Sequence, residues 1–259
     1  MVTVWGARVP GSSPARKPAK PRKKAPARKT TKRKSKARRS VAKKPAPKPA
    51  PRIPAGRLEE ILKRQGFRFV AGVDEVGRGA LAGPLVCAAV TLDTERIPTD
   101  LFDSKMLEPE EREARAAEIL RLAVAVSYVV VDSLDIDDQK LGVSNLAALR
   151  RAVRKLAPRP DYVISDHFPL DEKQESPHVS LPKADAMSAA VAAASIVAKV
   201  SRDAFMAKLD SEHPGYNFTS NKGYGSDEHW AAIRALGPSP VHRRSFRGVA
   251  SYQPSLADL

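Results

Sequence analysis

Charge and proline divide this chain before any periodicity is read. Residues 1–52 carry 19 lysines and arginines and no acidic residue. The stretch PARKPAKPRKKAPARKTTKRKSKARRSVAKKPAPKPAP interrupts any helix with proline, repels itself and offers almost no large apolar side chain. It is expected to be a disordered basic tail, rich in Lys, Arg, Pro and Ala. Any core must then come from residues 53–259, whose 26 basic and 29 acidic side chains leave a net charge of −3. The formal +16 of the whole chain therefore belongs to the tail, and the rest is mildly acidic. A domain of that charge meets a polyanion through local patches and metal ions rather than a global field. The tail itself suits sequence-independent phosphate contact driven by counterion release. A solubilising extension or a start site placed too early would look the same. A mitochondrial presequence fits less well, because the segment is Lys- and Pro-rich rather than an amphipathic Arg/Ser helix.

With 42% hydrophobic residues over 259, the chain can bury one sizeable core beside such a tail. No stretch approaches the roughly 18 consecutive apolar residues of a membrane span, and no apolar h-region precedes a small-residue cleavage site. A cytoplasmic protein without membrane contact, and a monomer, is the expectation. The one cysteine, Cys87, excludes an internal disulfide and a multi-cysteine zinc site. It lies in the apolar run Leu85 to Val90 and reads as a buried strand thiol rather than a nucleophile.

From about residue 56 the texture changes. Arg57 to Gln65 reads as a short helix, with Leu58, Ile61 and Leu62 on one side. Phe69 to Asp74 and Leu85 to Leu92 read as apolar strands joined by a Gly-rich turn. The spacing predicts a helix over Pro109 to Leu122, with a proline in its first turn. Val124 to Val131 is a β-branched strand, Val143 to Leu156 a helix, and Tyr162 to Asp166 another short strand. Ala184 to Leu209 forms a long Ala-rich helical stretch with a break allowed, and Asp227 to Leu236 a further helix. There is no internal repeat. Strands mixed with helices, then helices alone, predict an α/β layer fold with a C-terminal helical portion.

The chemistry concentrates in FVAGVDEVGRGALAGPLV, where an apolar strand is expected to end in Asp74 and Glu75. Neighbouring strand residues point to opposite faces, so the two acids cannot share one solvent layer if the strand stays regular. Unpaired buried carboxylates are costly, and magnesium or manganese takes such oxygen ligands. A solvated turn explains the pair equally well on its own. Two further acids tip the balance: Asp166 ends the run Tyr162 to Asp166, and Asp185 opens the Ala-rich helix. Four carboxylates converging on one cavity could not all stay ionised without cations. Asp185 alone could instead be a helix N-terminal acid favoured by the dipole.

The ordered set of motifs resembles type 2 ribonuclease H, the ribonuclease HII family, over residues 57–250. The motifs are V-D-E-V-G-R-G-A-L-A-G-P-L at 73–85, D-S-K at 103–105 and P-K-A-D at 182–185. S-A-A-V-A-A-A-S-I-V-A-K-V-S-R-D at 188–203, N-K-G-Y-G-S at 221–226 and G-P-S-P-V-H-R-R-S-F at 237–246 complete the set. The resemblance implies a ribonuclease-H-like mixed sheet flanked by helices. It implies that Asp74, Glu75, Asp166 and Asp185 are catalytic and hold Mg²⁺ or Mn²⁺. It further implies that Gly77, Arg78 and Gly79 read the ribonucleotide at an RNA–DNA junction, since glycines admit close approach and the 2′-OH marks RNA. Tyr224 would pack on the junction sugar, and Lys105 and Lys199 would contact phosphates. Arg243 and Arg244 would bind the duplex backbone or pair with acids of their own domain.

The implied activity is hydrolysis of the RNA strand of RNA–DNA hybrids, and cleavage 5′ to ribonucleotides embedded in duplex DNA. The implied mechanism uses two metals and leaves 3′-hydroxyl and 5′-phosphate ends. Two departures stand out: Asp166-His167 where the family commonly has Asp-Gly, and Lys183-Ala184-Asp185 where it has Lys-Gly-Asp. Neither removes a carboxylate, and His167 reads as a surface or packing residue. The C-terminal Tyr252 to Leu259 faintly resembles a sliding-clamp peptide, with a frayed terminus as the simpler reading. Two rivals remain: a noncatalytic nucleic-acid binder acting through its tail, and another nuclease of this architecture, such as a resolvase or transposase.

Overall fold

The structure is a computed structural model that describes residues 56–97, 108–170 and 175–249. Expectations for the basic tail, for Lys105 and for the C-terminal clamp-like peptide lie outside those residues. Strands β1 (Phe69–Val76), β2 (Leu85–Asp93) and β3 (Ala125–Val131) form an antiparallel meander. Strands β4 (Tyr162–Asp166) and β5 (His178–Leu181) add parallel on the other side of β1, giving the order β3-β2-β1-β4-β5. Helices α1 (Arg57–Arg64), α2 (Pro109–Leu122), α3 (Ser133–Gln139) and α4 (Leu141–Arg154) precede or interleave the strands. A single 3-10 turn (Ala184–Ala186), α5 (Ala189–Glu212), α6 (Phe218–Asn221) and α7 (Asp227–Leu236) complete the chain. The mixed sheet with flanking helices and a C-terminal helical portion is the architecture expected.

Strand β2 explains itself by position. It is central and covered on both faces, so its sequence is an unbroken apolar run rather than an alternation. Leu85, Cys87 and Ala89 face the cluster completed by α4, while Val86, Ala88, Val90 and Leu92 face α2 and α5. Cys87 is fully buried, and burial raises its thiol pKa well above the usual value. The buried strand thiol expected from the sequence is thus in place.

The alanines of α5 also have a cause. A Cβ placed on Gly72 of β1 would stand 2.1 Å from the carbonyl carbon of Ala190. Helix and strand backbones therefore touch, and only small residues fit between them. The N-terminus of α5 is fixed from two sides. Ser188 accepts from the Val191 N–H at 3.2 Å, and buried Glu59 of α1 accepts from the Ala190 N–H at 3.1 Å and from the Ser188 hydroxyl. These bonds satisfy donors that a helix start leaves without partners.

Two local expectations change, and His167, exposed as expected, takes a backbone conformation the sequence does not reveal. β1 runs on to Val76, because Glu75 and Val76 pair with Cys87 and Val86. Asp74 and Glu75 therefore lie within the strand rather than at its end. Asp185 does not open the long helix; it sits in the separate 3-10 turn, and α5 begins only at Ala189. His167 stands at φ 60°, the left-handed region that glycine enters without strain. That is the physical reason for a glycine after this aspartate in the family the sequence resembles.

Candidate active site

The strand that carries the acids leaves the core at one end of the sheet. Val73 of β1 pairs in parallel register with Ser165 of β4, and the next residues are Asp74 and Asp166. Adjacent strands thus bring two carboxylates side by side. Asp166 is tied to the segment that follows: its Oδ1 accepts from the Ala184 N–H at 2.9 Å. That bond docks the 3-10 turn bearing Asp185 against the same strand end. Asp185 is close enough to raise the pKa of Asp74 electrostatically.

Asp74 is only 8% exposed. Its Oδ1 accepts from the Glu75 N–H at 2.8 Å, and the Ser195 hydroxyl of α5 also donates to its carboxylate. Burial still dominates, and with Asp166 and Asp185 nearby it pushes the Asp74 pKa up to about 6. Glu75 points to the other face of the strand, and burial, then the charge of Asp74, push it to about 8. Nearby Arg78 offsets this in part. Glu75 Oε2 is buried with no hydrogen-bond partner, a state that normally costs ~1–3 kcal/mol. Burial holds both carboxylates against their ionised form, and the charge of Arg78 compensates Glu75 only in part.

Such an oxygen-only set, with an orphaned buried oxygen, suits a hard divalent cation. Asp74, Glu75, Asp166 and Asp185 are the residues that could hold it. Among the described residues, no three acidic, imidazole or thiol side chains already stand close enough to grip one ion. Asp74 and Asp166 each turn one oxygen toward a backbone N–H.

Asp74, Glu75 and Asp166 form one wall of an open cleft of about 370 Å³. A second wall carries Gly77, Arg78, Gly79 and Tyr224, and Lys199 of α5 also borders the space. Two fully buried arginines build that second wall from behind. Arg202 of α5 donates from Nε to the Pro84 carbonyl (2.9 Å) and from Nη2 to that of Ala82 (3.3 Å). Arg243 donates from Nε and Nη2 to the Gly83 carbonyl (3.1 and 2.9 Å) and from Nη1 to that of Arg78 (2.9 Å). Burial lowers both pKa values, that of Arg243 to about 9. Gly77, at φ 90°, rests directly on Arg202: an added Cβ would lie 2.0 Å from its Nε. The Arg202 guanidinium also lies 5.4 Å from the centroid of the Tyr224 ring, which is 40% exposed.

The structure therefore gathers Asp74, Glu75, Asp166, Gly77, Arg78, Gly79, Lys199 and Tyr224 around one space, with Asp185 beside Asp74. Lys199 is partly exposed and paired with Asp203 at 2.6 Å. Arg243 corrects its expectation: it neither faces a duplex nor pairs with an acid, but bonds to loop carbonyls. Arg244 is exposed, and its backbone N–H donates to Asp137 at 2.7 Å. Sequence reasoning missed Ser195, and Arg112 of α2, which also lines the cleft. A signal for Ser195 existed. Ser195, Lys199 and Arg202 recur at helical spacing, and Ser195 interrupts the small apolar run that opens the helix, marking one polar face.

Comparison with known proteins agrees with this geometry. The family described as Ribonuclease HII matches residues 71–249. The ribonuclease HII of Salinispora arenicola is 48% identical over 196 residues, 75% of this chain and 72% of that one. The crystal structure of ribonuclease H2 from Pyrococcus horikoshii superposes with a TM-score of 0.61 at 27% identity, over 70% of this chain and 95% of that one. A chain of the PCNA–ribonuclease HII complex from Archaeoglobus fulgidus gives 0.61 at 26% identity, over 74% and 100%. With its mixed sheet, its cleft and these relatives, the chain belongs to the ribonuclease HII family and is a ribonuclease H enzyme.

Proposed function

We propose that the protein is an endoribonuclease that hydrolyses the RNA strand of RNA–DNA hybrids and cuts 5′ to ribonucleotides embedded in duplex DNA. The observation that carries this reading is the pairing of two unlike walls across one cleft. One wall offers carboxylates short of a cation; the other is a rigid glycine loop beside an exposed tyrosine. Asp74, Glu75, Asp166 and Asp185 would hold divalent ions, Mg²⁺ or Mn²⁺. Bound there as a pair, the ions would activate a water and stabilise the leaving oxygen, giving 3′-hydroxyl and 5′-phosphate ends.

The chain's own residues do the rest. Ser195 fixes the Asp74 carboxylate, and the Ala184 N–H fixes that of Asp166. The Gly77-Arg78-Gly79 backbone, immobilised by Arg202 and Arg243, can approach a ribose and sense its 2′-OH. Tyr224 presents a ring face to the sugar, and Lys199 and Lys105 would meet phosphates. The cellular role that follows is hybrid degradation and ribonucleotide removal. The basic tail raises affinity for duplex without choosing the site. A sliding-clamp contact through the C-terminal segment is part of the same reading, supported by the Archaeoglobus fulgidus relative solved with PCNA.

One assay tests it: incubate the full chain with a duplex carrying a single ribonucleotide, in Mg²⁺, Mn²⁺ or EDTA, and map the ends. A single cut 5′ to the ribonucleotide, stopped by EDTA, is expected. Cutting of an all-DNA junction but not of this duplex would point to a resolvase-like enzyme; binding without cutting would leave a noncatalytic binder. A chain lacking residues 1–52 should cut at the same position and lose affinity mainly at low salt.

A further inference from the structure

Behind the second wall lies a group of side chains to which the reaction above assigns no task. His229 of α7 and His242 are 0% and 1% exposed, and their Nε2 atoms face each other at 3.1 Å. Phe218 and Tyr216 pack around them, with ring centroids 5.4 Å from His229 for Phe218 and 5.0 Å from His242 for Tyr216. Two facing imidazoles in an apolar cage must agree on a single proton arrangement, and their outer partners dictate it. The Ser239 N–H, 3.0 Å away, can only donate, so His242 Nδ1 accepts and carries no proton, and the Ser239 hydroxyl, 2.8 Å from the same nitrogen, turns its proton toward it as well. The neutral His242 then holds its proton on Nε2 and donates it to His229. His229 Nε2 accepts, which places the remaining proton on Nδ1. That proton points to the one acceptor in reach, the Tyr224 carbonyl at 2.9 Å.

All donors and acceptors along this line are satisfied only if both histidines are neutral and oriented in this one direction. An extra proton on either ring would set two N–H groups against each other in a core. The end of the line is the residue whose ring faces the cleft. The Tyr224 carbonyl also accepts from the Ser226 N–H at 2.8 Å. Gly223 just before it is pinned as well: its carbonyl takes the Leu81 N–H at 2.7 Å, and a Cβ there would stand 2.4 Å from the Ala82 oxygen. Tyr224 is thus gripped from its own turn, from the glycine loop and from His229.

We propose that Ser239, His242 and His229 form a buried one-way hydrogen-bond relay whose task is to hold the Tyr224 backbone, so that its ring meets the substrate sugar in a fixed place. The histidines are positioning residues; neither touches the substrate. This proposal rests on the part assigned to Tyr224 above.

Asparagine and glutamine separate the two ends of His229, because Asn places its amide where Nδ1 stands and Gln where Nε2 stands. His229→Asn keeps the donor to Tyr224 and loses the bond to His242. His229→Gln keeps the bond to His242 and releases Tyr224. Each breaks one buried bond, so their melting temperatures should be lowered alike. On the single-ribonucleotide duplex, H229Q should raise KM roughly tenfold with kcat little changed, and H229N, which keeps the donor to Tyr224 but loses its anchor on His242, should raise KM less, by about threefold. Equal KM values for the two variants, or the reverse order, would overturn the relay. Tyr224→Ala serves as the control on the reading beneath it. If Y224A cleaves like the wild type, the assignment of Tyr224 fails; if Y224A is impaired and H229N and H229Q behave alike, only the relay fails.

A second measurement needs no variant to fold. Imidazole ¹⁵N shifts of the intact chain should report a protonated Nδ1 on His229 and a protonated Nε2 on His242. The opposite tautomers, or a charged ring at neutral pH, would refute the arrangement.

Discussion

The two walls of the cleft are both built from buried charge, yet they stand in opposite conditions. On the acid wall, Asp74 and Glu75 are pushed up to about 6 and about 8, and Glu75 Oε2 has no partner. On the other wall, Arg202 and Arg243 are just as deeply buried, but backbone carbonyls of residues 78–84 accept from them. Only Arg202 Nη1 is left over. The difference teaches what each wall is for. Carboxylates held against their ionised form, one with an oxygen that has no partner, would accept a charge from outside, and a divalent cation would meet that demand. Guanidiniums spent on carbonyls are structural: they make a mobile kind of sequence, a glycine loop, into a rigid surface before any substrate arrives.

The sharpest break of this comparison is to remove one acid. Asp74→Asn and Asp185→Asn should each lower cleavage by at least ~10³-fold while duplex binding largely survives. Cleavage within tenfold of the wild type would end the proposed role of that acid. Melting curves probe the same wall without substrate. Saturating Mg²⁺ or Mn²⁺ should stabilise the wild type by ~2–3 kcal/mol and D74N hardly at all. In EDTA the order should invert, with D74N melting at or above the wild type, because the substitution relieves a buried charge. A D74N that melts well below the wild type in EDTA would mean that the acid wall is internally satisfied after all.

The loop wall is tested by two glycines two residues apart. Gly77 lies at φ 90° with Arg202 Nε 2.0 Å from where a Cβ would go; Gly79 has nothing within 4 Å. Arg202 cannot yield, since its carbonyl partners fix it. Gly77→Ala should therefore cost about 2 kcal/mol or more of stability, while Gly79→Ala should leave the midpoint within about 0.5 kcal/mol. Activity should separate from stability at Gly79: if that backbone approaches the ribose, G79A loses kcat/KM although it melts normally. Equal midpoints for the two variants would remove the claim that arginine packing immobilises this loop.

Much of this contrast was legible in the residues, and the part that was not has a physical reason. The acids, the glycine loop and Tyr224 stand in short motifs with unusual residue types, and α2, β4 and α7 have the bounds their spacing predicts. Strand β1 extends past the acids because its ladder with β2 continues, which a local pattern does not reveal. Elements α3 and α6 are short, seven and four residues, and β5 has no fully buried residue to signal a strand. The arginines were the deepest miss. Arg243 reads as a surface cation beside Arg244, and only the tertiary path of the loop shows that it is fully buried against the carbonyls of Arg78 and Gly83. A charged residue is assumed to be wet until its partners are known.

Acid should distinguish the two walls by sign. Burial, with His229, His213 and Arg244 adding their charge, lowers His242 from its ordinary 6.5 to about 4. The unfolded chain then binds a proton that the folded chain refuses. The His242 contribution to stability is whole above pH ~6.5, declines as pH falls through the window and is gone below about 4, a loss of about 3 kcal/mol at most. Asp74 and Glu75 run the other way, since their raised values favour the folded, protonated form as pH falls. Melting the wild type alone would mix the two. His242→Asn retains an acceptor for the Ser239 N–H and removes the titration, so the acids cancel in the difference between the curves. That difference should be flat above pH 6.5 and tilt against the wild type between pH 6.5 and 4. A parallel pair of curves across this range would show that His242 is already wet, and that the back of the loop wall is not the sealed, neutral scaffold its hydrogen bonds describe.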